Sequence, residues 1–272
     1  MRKRTASRTR QTDRGDLGIR KVGDVKRSKS FAIYGKAGTG KTTLAGTFPT
    51  PALLLDIQDE GTDSVSDVKG LDVLDIEDLD MMDDVYWELK SGKLKGKYKT
   101  LILDTVTMLQ HLKIMDIVGP KLERSGKQAG DWGTMTKQNW GEVASYLKDQ
   151  ITRFRNLEMN VIFIAQERIF NAGEEDSDAG VIDPEVGPAL SPSVKSHLNA
   201  AVNVIANTFI RVRYIEKKDE KGRKKKLKKI EYCLGVGPSD IYTRKVRKPR
   251  SIDLPDVIVD PTYEEIIELI EG

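Results

Sequence analysis

The sequence predicts an α/β protein with a mostly parallel central sheet flanked by helices and a β-rich C-terminal part. Three observations support this. From Ser30 onward, short apolar runs alternate with stretches of helical spacing, the pattern of strands joined by crossover helices. A complete G-x-x-x-x-G-K-T phosphate-binding loop, Gly35-Lys36-Ala37-Gly38-Thr39-Gly40-Lys41-Thr42, links the first apolar run to the first helix start. Beyond residue 202, further strand-like runs follow one another.

Taken in chain order, residues 1–28 hold many Arg, Lys, Ser and Thr and almost no apolar spacing, so they predict a disordered basic arm. Residues 29–272 then form the folded core. Strands are expected at 31–34, 52–56, 71–76, 100–104 and 160–165. Leu79, Met82, Val85 and Leu89 recur at helical spacing, as do Val143, Leu147, Ile151, Phe154 and Leu157, in a helix ending near Asn160. These stripes predict core positions. Two segments, 119–141 and 171–192, carry Gly, Pro and polar residues with little periodicity and are expected as long loops. The block 217–229 is strongly basic and predicts the tip of a hairpin.

Charge and composition narrow the function. Charged residues make up 32% and hydrophobic ones 38%. No run has the apolar length of a membrane span, and the N-terminus lacks the apolar core of a signal peptide. The single cysteine, Cys233, excludes an internal disulfide and a Cys-based zinc site, and its strand-like neighbours predict a buried thiol. A reducing cytoplasm is expected. Net charge is +3, yet the signs are segregated: residues 1–30 hold eleven Lys/Arg against three Asp, and residues 55–90 hold thirteen Asp/Glu against two Lys. Such segregation predicts a polyanionic partner approached from particular faces.

The phosphate loop implies a bound nucleoside triphosphate. Its glycines let backbone N–H groups turn inward around phosphate oxygens, and the helix that follows, starting at Thr43, adds the positive end of its dipole. Lys41 is expected to reach the β- and γ-phosphates and Thr42 to ligate Mg²⁺. The extended run Thr100-Leu101-Ile102-Leu103 ends in Asp104, placed to hold the same Mg²⁺ through water. A strand at 53–56 lies between the phosphate loop and Asp104 in the chain, which suggests an additional-strand ATPase. In many such enzymes a glutamate directly follows the metal aspartate. Thr105 stands there, so the base must come from Asp56-Ile57-Gln58-Asp59-Glu60-Gly61. Glu60 is the favoured general base, with Asp56 and Asp59 as rivals. Gln166, at the end of Val161-Ile162-Phe163-Ile164-Ala165, is placed to bond the γ-phosphate and signal its presence to the loop beyond.

These pieces, in this order, resemble the RecA recombinase core across residues 30–250. The match comprises the phosphate loop, the Leu55-Asp56 to Glu60-Gly61 turn, the strand ending Asp104-Thr105 and the strand ending at Gln166. More closely, the chain resembles phage-encoded nucleotide-binding proteins that keep only this RecA-like core and act as single-strand annealing proteins. Asp131-Trp132-Gly133, Asn139-Trp140-Gly141 and Pro188-Ala189-Leu190 belong to that pattern. The resemblance implies slow, DNA-stimulated hydrolysis of ATP with Mg²⁺, a homo-oligomer, single-stranded DNA as partner and a single-strand DNA-binding protein beside it, in the cytoplasm of an infected bacterial cell. It also implies cations given across the oligomer interface, for which Lys245 and Arg247 match in position.

Three departures stand out: no additional folded domain is expected before the core, the arm has no Phe-x-x-Ala motif, and the second candidate DNA loop is acidic at Glu174, Glu175, Asp176 and Asp178. For DNA contact, Trp132 with Lys127 and Lys137 supplies a stacking ring and cations in one loop. The competing functions are a helicase-like motor and a non-catalytic nucleotide-gated adaptor.

Overall fold

The structure is a computed structural model, and it describes residues 28–58, 61–125, 135–170, 185–218 and 224–271. The arm at 1–27, Lys127, Trp132, Asp59, Glu60 and most of the 171–192 segment lie outside those residues.

The strands are β1 (Ser30–Gly35), β2 (Ala52–Asp56), β3 (Leu71–Asp75), β4 (Thr100–Asp104), β5 (Asn160–Phe170), β6 (Glu185–Pro188), β7 (Val204–Lys218), β8 (Lys224–Gly235), β9 (Lys245–Val246) and β10 (Val257–Val259). They form one sheet of order β10-β8-β7-β1-β5-β4-β2-β3, with β6 on β5 and β9 on β7. From β3 to β7 every neighbouring pair is parallel, and β8 and β10 close that edge antiparallel. Parallel neighbours need crossovers, and these carry the helices α1 (Lys41–Ala45), α2 (Leu79–Lys90), α3 (Val106–Ser125), α4 (Lys137–Arg155) and α5 (Pro192–Ala201), while α6 (Tyr263–Glu271) follows the last strand.

Alternation along the central strands divides the core into two layers. Ala32, Tyr34, Leu53, Leu55, Leu101, Leu103, Val161 and Phe163 face α2 to α5. Phe31, Ile33, Leu54, Ile102, Ile162 and Ile164 face Leu44 and Ala45 of α1 and Ile266 and Ile270 of α6. The stripe Val143, Leu147, Ile151 and Phe154 of α4 is fully buried, and Phe154 meets Tyr86 edge to face at 5.6 Å.

Three expectations change. The strand at 53–56 does not separate the phosphate loop from Asp104 in space. That place belongs to β5, which joins later in the chain, while β2 lies on the far side of β4. The loop expected from 119 is helical to Ser125, because Gly119 and Pro120 are local breakers inside a helix whose stripe Leu109, Ile114 and Val118 is buried. The basic hairpin is far longer than 217–229: β7 and β8 pair from Asn207 opposite Gly235 to Lys218 opposite Lys224. Cys233 is buried in β8, as expected.

Phe154→Ala should empty a site with no room to collapse between α2 and the sheet. We expect a loss of about 3–5 kcal/mol in unfolding free energy, read from urea denaturation.

Candidate nucleotide site

In a parallel sheet, the loops that follow the strands gather at the C-terminal ends of those strands, and the site is built there. The loop after β1 turns on Gly38 and Gly40, whose φ values of 74° and 86° lie in the left-handed region open to glycine. Gly35 is required for a different reason: a Cβ there would stand 2.4 Å from Thr208 Oγ1 and 2.5 Å from the Thr208 carbonyl oxygen of β7. The loop is therefore wedged against its neighbouring strand. Thr39 Oγ1 lies 2.7 Å from Thr208 Oγ1 and donates to the Lys36 carbonyl at 2.7 Å. Lys41 is buried and donates to the carbonyls of Gly35 at 3.2 Å and Lys36 at 2.9 Å. It lies coiled inside its own loop, within reach of an anion seated there.

The helix expected to add a dipole is only five residues long, Lys41–Ala45. Positive potential at this site therefore comes from the loop N–H groups and Lys41 more than from aligned peptides.

Thr42 Oγ1 donates to Asp104 Oδ2 at 2.6 Å, although β5 separates their two strands. A hydroxyl and a carboxylate together, both hard oxygen donors, suit Mg²⁺, which keeps several waters and is commonly held by one or two protein groups plus phosphate. The loop from β2 comes to the same place. Gly61 lines the cleft, and a Cβ on it would stand 3.7 Å from Thr42 Oγ1 and 4.0 Å from Asp104 Oδ2. Glu60 is its covalent neighbour. Asp56 is buried beside Asp104 in register; neither carboxylate is among the residues lining the cleft, which Asp104 meets through its bond with Thr42.

Gln166 pairs in register with Gly35, donates its backbone N–H to Thr107 Oγ1 at 3.0 Å and lines the same cleft. Four residues further on, Phe170 pairs with Glu185 of β6, so the two flanks of the 171–184 segment are tied together. Lys195 of α5 fastens that junction: its ammonium lies 2.8 Å from Glu185 Oε2 and 3.8 Å from the centre of the Phe170 ring. Burial pushes the Glu185 carboxyl up, but hydrogen bonds from Lys195 and Thr243 outweigh it and hold the group below its ordinary range.

The cleft has a volume of about 640 Å³. Ala37 to Thr43, Gln166 and Thr208 line its phosphate end, and Thr47, Tyr232, Asp260, Pro261 and Thr262 line the rest. The sequence-based reading missed Thr208, Tyr232 and the 260–262 turn. One signal was available, the polar pair Asn207-Thr208 between the apolar runs Val204-Ile205-Ala206 and Phe209-Ile210.

Lys245 and Arg247 are not in this cleft. They lie at the other end of the sheet, where Lys245 pairs with Ile205 at the start of β7. Lys245 Nζ bonds the Asn199 carbonyl, and Arg247 donates to the Ala200 carbonyl at 2.6 Å, so both cap the C-terminus of α5. Burial, then Arg247 and Arg155, bring the Lys245 ammonium down to about 8. It is mostly charged at pH 7 and discharges as pH rises past 8. Lys137 is exposed at the first position of α4 behind the Thr136–Asn139 capping box, and Trp140 is half-exposed one turn on. No helix among the described residues is long and apolar enough to cross a membrane.

The sequence profile of an AAA domain family matches residues 27–247. The chain belongs to this AAA domain family. It is a P-loop nucleotide-binding protein. No curated protein matches it. The solved structures similar to it include the following two. The RadB recombinase is 13% identical, with 75% of this chain and 86% of that one covered and a TM-score of 0.40. A KaiC-like protein from Pyrococcus horikoshii OT3 is 10% identical, with 86% and 90% covered and a TM-score of 0.41. Likenesses this distant leave the architecture of the AAA domain to be read from its own topology.

Lys41→Ala should abolish nucleotide turnover, a loss well beyond tenfold or about 1.4 kcal/mol of barrier. Asp104→Asn should instead weaken Mg²⁺-dependent nucleotide binding, seen by titrating a fluorescent analogue with and without Mg²⁺.

Proposed function

We propose that the chain is an ATPase that binds single-stranded DNA and promotes annealing or strand pairing in phage recombination. One observation carries the proposal: Lys41, the Thr42–Asp104 pair and Gln166 converge on one cleft, and the strand bearing Gln166 runs directly into the 171–184 segment. A γ-phosphate sensed at Gln166 is then four residues from the junction that fixes that segment.

In this mechanism the loop N–H groups and Lys41 hold and neutralise the β- and γ-phosphates. Mg²⁺ at Thr42 and Asp104 would neutralise further phosphate charge. Glu60, next to Gly61 at the metal pair, takes the proton of the attacking water. Gln166 bonds the γ-phosphate and loses that partner on hydrolysis, releasing the β5–β6 junction. Lys245 and Arg247 face away from their own cleft, so they act on the nucleotide of a neighbouring copy in a homo-oligomer. The DNA is bound by Trp132 with Lys127 and Lys137, aided by the basic arm and the β7–β8 hairpin. α4 runs down to the start of β5, which leaves Lys137 toward the cleft end of the sheet.

The deciding experiment measures ATP turnover with and without single-stranded DNA. Stimulation supports the proposal; turnover indifferent to DNA supports the adaptor. Glu60→Gln should keep ATP affinity and lose hydrolysis, because an amide holds a water but cannot take its proton. Normal hydrolysis in Glu60→Gln, with loss in Asp56→Asn or Asp59→Asn, moves the base to that carboxylate. Mixing Glu60→Gln with Arg247→Ala should restore part of the turnover through hybrid interfaces.

For DNA, deleting residues 1–28 should weaken single- and double-strand binding alike and flatten the salt slope. Trp132→Ala should cost about 1–3 kcal/mol of single-strand affinity with the slope kept. Anisotropy across a salt series reads both, and no preference for single strands in the intact protein would overturn the annealing function.

A further inference from the structure

Past the cleft, β7 and β8 continue as a two-stranded ribbon. β7 lies beside β1 only as far as Thr208, opposite Gly35, while its ladder with β8 runs on to Lys218. Ten more residues of extended chain add about 30 Å. Alternation gives the ribbon two unlike faces. On one, Arg211, Arg213 and Lys229 surround the buried Glu231 carboxylate at 2.8, 3.4 and 3.2 Å, with Arg211 foremost in holding it below its ordinary range. That face is satisfied within the protomer.

The other face carries the register pairs Ile210–Tyr232, Val212–Ile230 and Tyr214–Lys228. Its five apolar side chains are between 43% and 71% exposed. Contiguous apolar surface of this kind marks a contact site. It begins inside the nucleotide cleft, where the Tyr232 ring lies 3.5 Å from the Cβ position of Gly40.

We propose that this ribbon face binds a second copy of the chain through the C-terminal half of that copy's α2. The inference rests on the oligomeric part of the proposed function and names its surfaces. The centre of the face, Ile210, Val212 and Ile230, is aliphatic and lies between the Tyr214 and Tyr232 rings, an apolar centre of the kind that protein partners cover. Lys226 and Lys228 are exposed along its rim. On α2, Trp87 is 57% exposed among the exposed acids Asp80, Asp84 and Glu88, with Arg153 5.7 Å from its ring and Lys90 exposed at the helix end. An apolar centre with a basic rim thus meets an apolar centre with an acidic rim, the anatomy of a protein–protein contact.

The two surfaces also lie apart on the protomer. β8 is near one edge of the sheet and β3, which leads into α2, is the opposite edge. The ribbon projects from the C-terminal ends of the strands, whereas α2 returns the chain toward the start of β4 and carries Trp87 with it. Two different patches at opposite corners cannot close on themselves in one protomer, so they repeat head to tail.

Sedimentation of the full-length chain, over a concentration series with ATP and Mg²⁺, tests this. Wild type should grow beyond the monomer. Ile230→Asp and Trp87→Asp should each remain monomeric while binding a fluorescent nucleotide as wild type does, which also shows that they fold. Mixed, the two variants should form 1:1 dimers and nothing larger, because each supplies the face the other has lost. A monomeric wild type, or assembly of Ile230→Asp like wild type, overturns the inference. So does normal assembly of Trp87→Asp alone, which would mean ribbon packed on ribbon. Loss of single-strand DNA binding in Ile230→Asp with self-association intact would make the ribbon a nucleic-acid surface and also overturn it. Because the readout is mass, assembly without DNA annealing refutes the annealing function and keeps the interface.

Discussion

The phosphate end of the cleft depends on one constraint: two parallel neighbours can be joined only by a crossover, so all six parallel strands end at the same side of the sheet. Four of those ends supply the site, and the loop after β2 adds Gly61 to it. β1 gives the phosphate loop, β4 gives Asp104, β5 gives Gln166 and β7 gives Thr208. The order β7-β1-β5-β4 then sets their spacing, with Gly35 level with Thr208 on one side and Gln166 on the other. Thr42 reaches across β5 to Asp104 because the helix start lifts it above the sheet, and the 2.6 Å contact closes the metal corner.

What could be read from the sequence follows from how local each signal is. The phosphate loop is legible because its glycines, Lys41 and Thr42 act within eight consecutive residues. The strands ending at Asp56, Asp104 and Gln166 are legible because strands buried on both faces read as unbroken apolar runs. The position of β5 between β1 and β4 was not legible, since chain order does not fix lateral order in a sheet. Nor were Tyr232 and the turn at Asp260, which reach the cleft from the far C-terminal part through pairings such as Asp260 N–H to the Tyr232 carbonyl at 2.7 Å. Lys245 and Arg247 show the limit most clearly. Their sequence position matched, but only topology puts them at the end of the sheet away from their own cleft.

Charge segregation, visible in composition, becomes spatial in the fold. The acidic stretch 55–90 runs from the mouth of the cleft through β3 and α2 at one edge of the sheet, and the basic stretch forms the β7–β8 ribbon near the other. A chain with opposite signs at opposite edges has a built-in electrostatic direction. The net charge of +3 conceals this entirely.

The wedge at Gly35 ties these levels together. A strand that approaches close enough to exclude a methyl group leaves the phosphate loop no freedom to shift without moving β7. β7 is also one rail of the ribbon, and through β8 its ladder positions Tyr232 against Gly40. Packing at this density transmits displacement instead of absorbing it. The phosphate loop is thus packed against two strands at once: against β7 through Thr208, on the rail of the ribbon, and against β5 through the pairing of Gly35 with Gln166, on the strand that leads to the β5–β6 junction. The fold joins one cleft to two surfaces on either side of it through strands that are hydrogen-bonded neighbours in a single sheet.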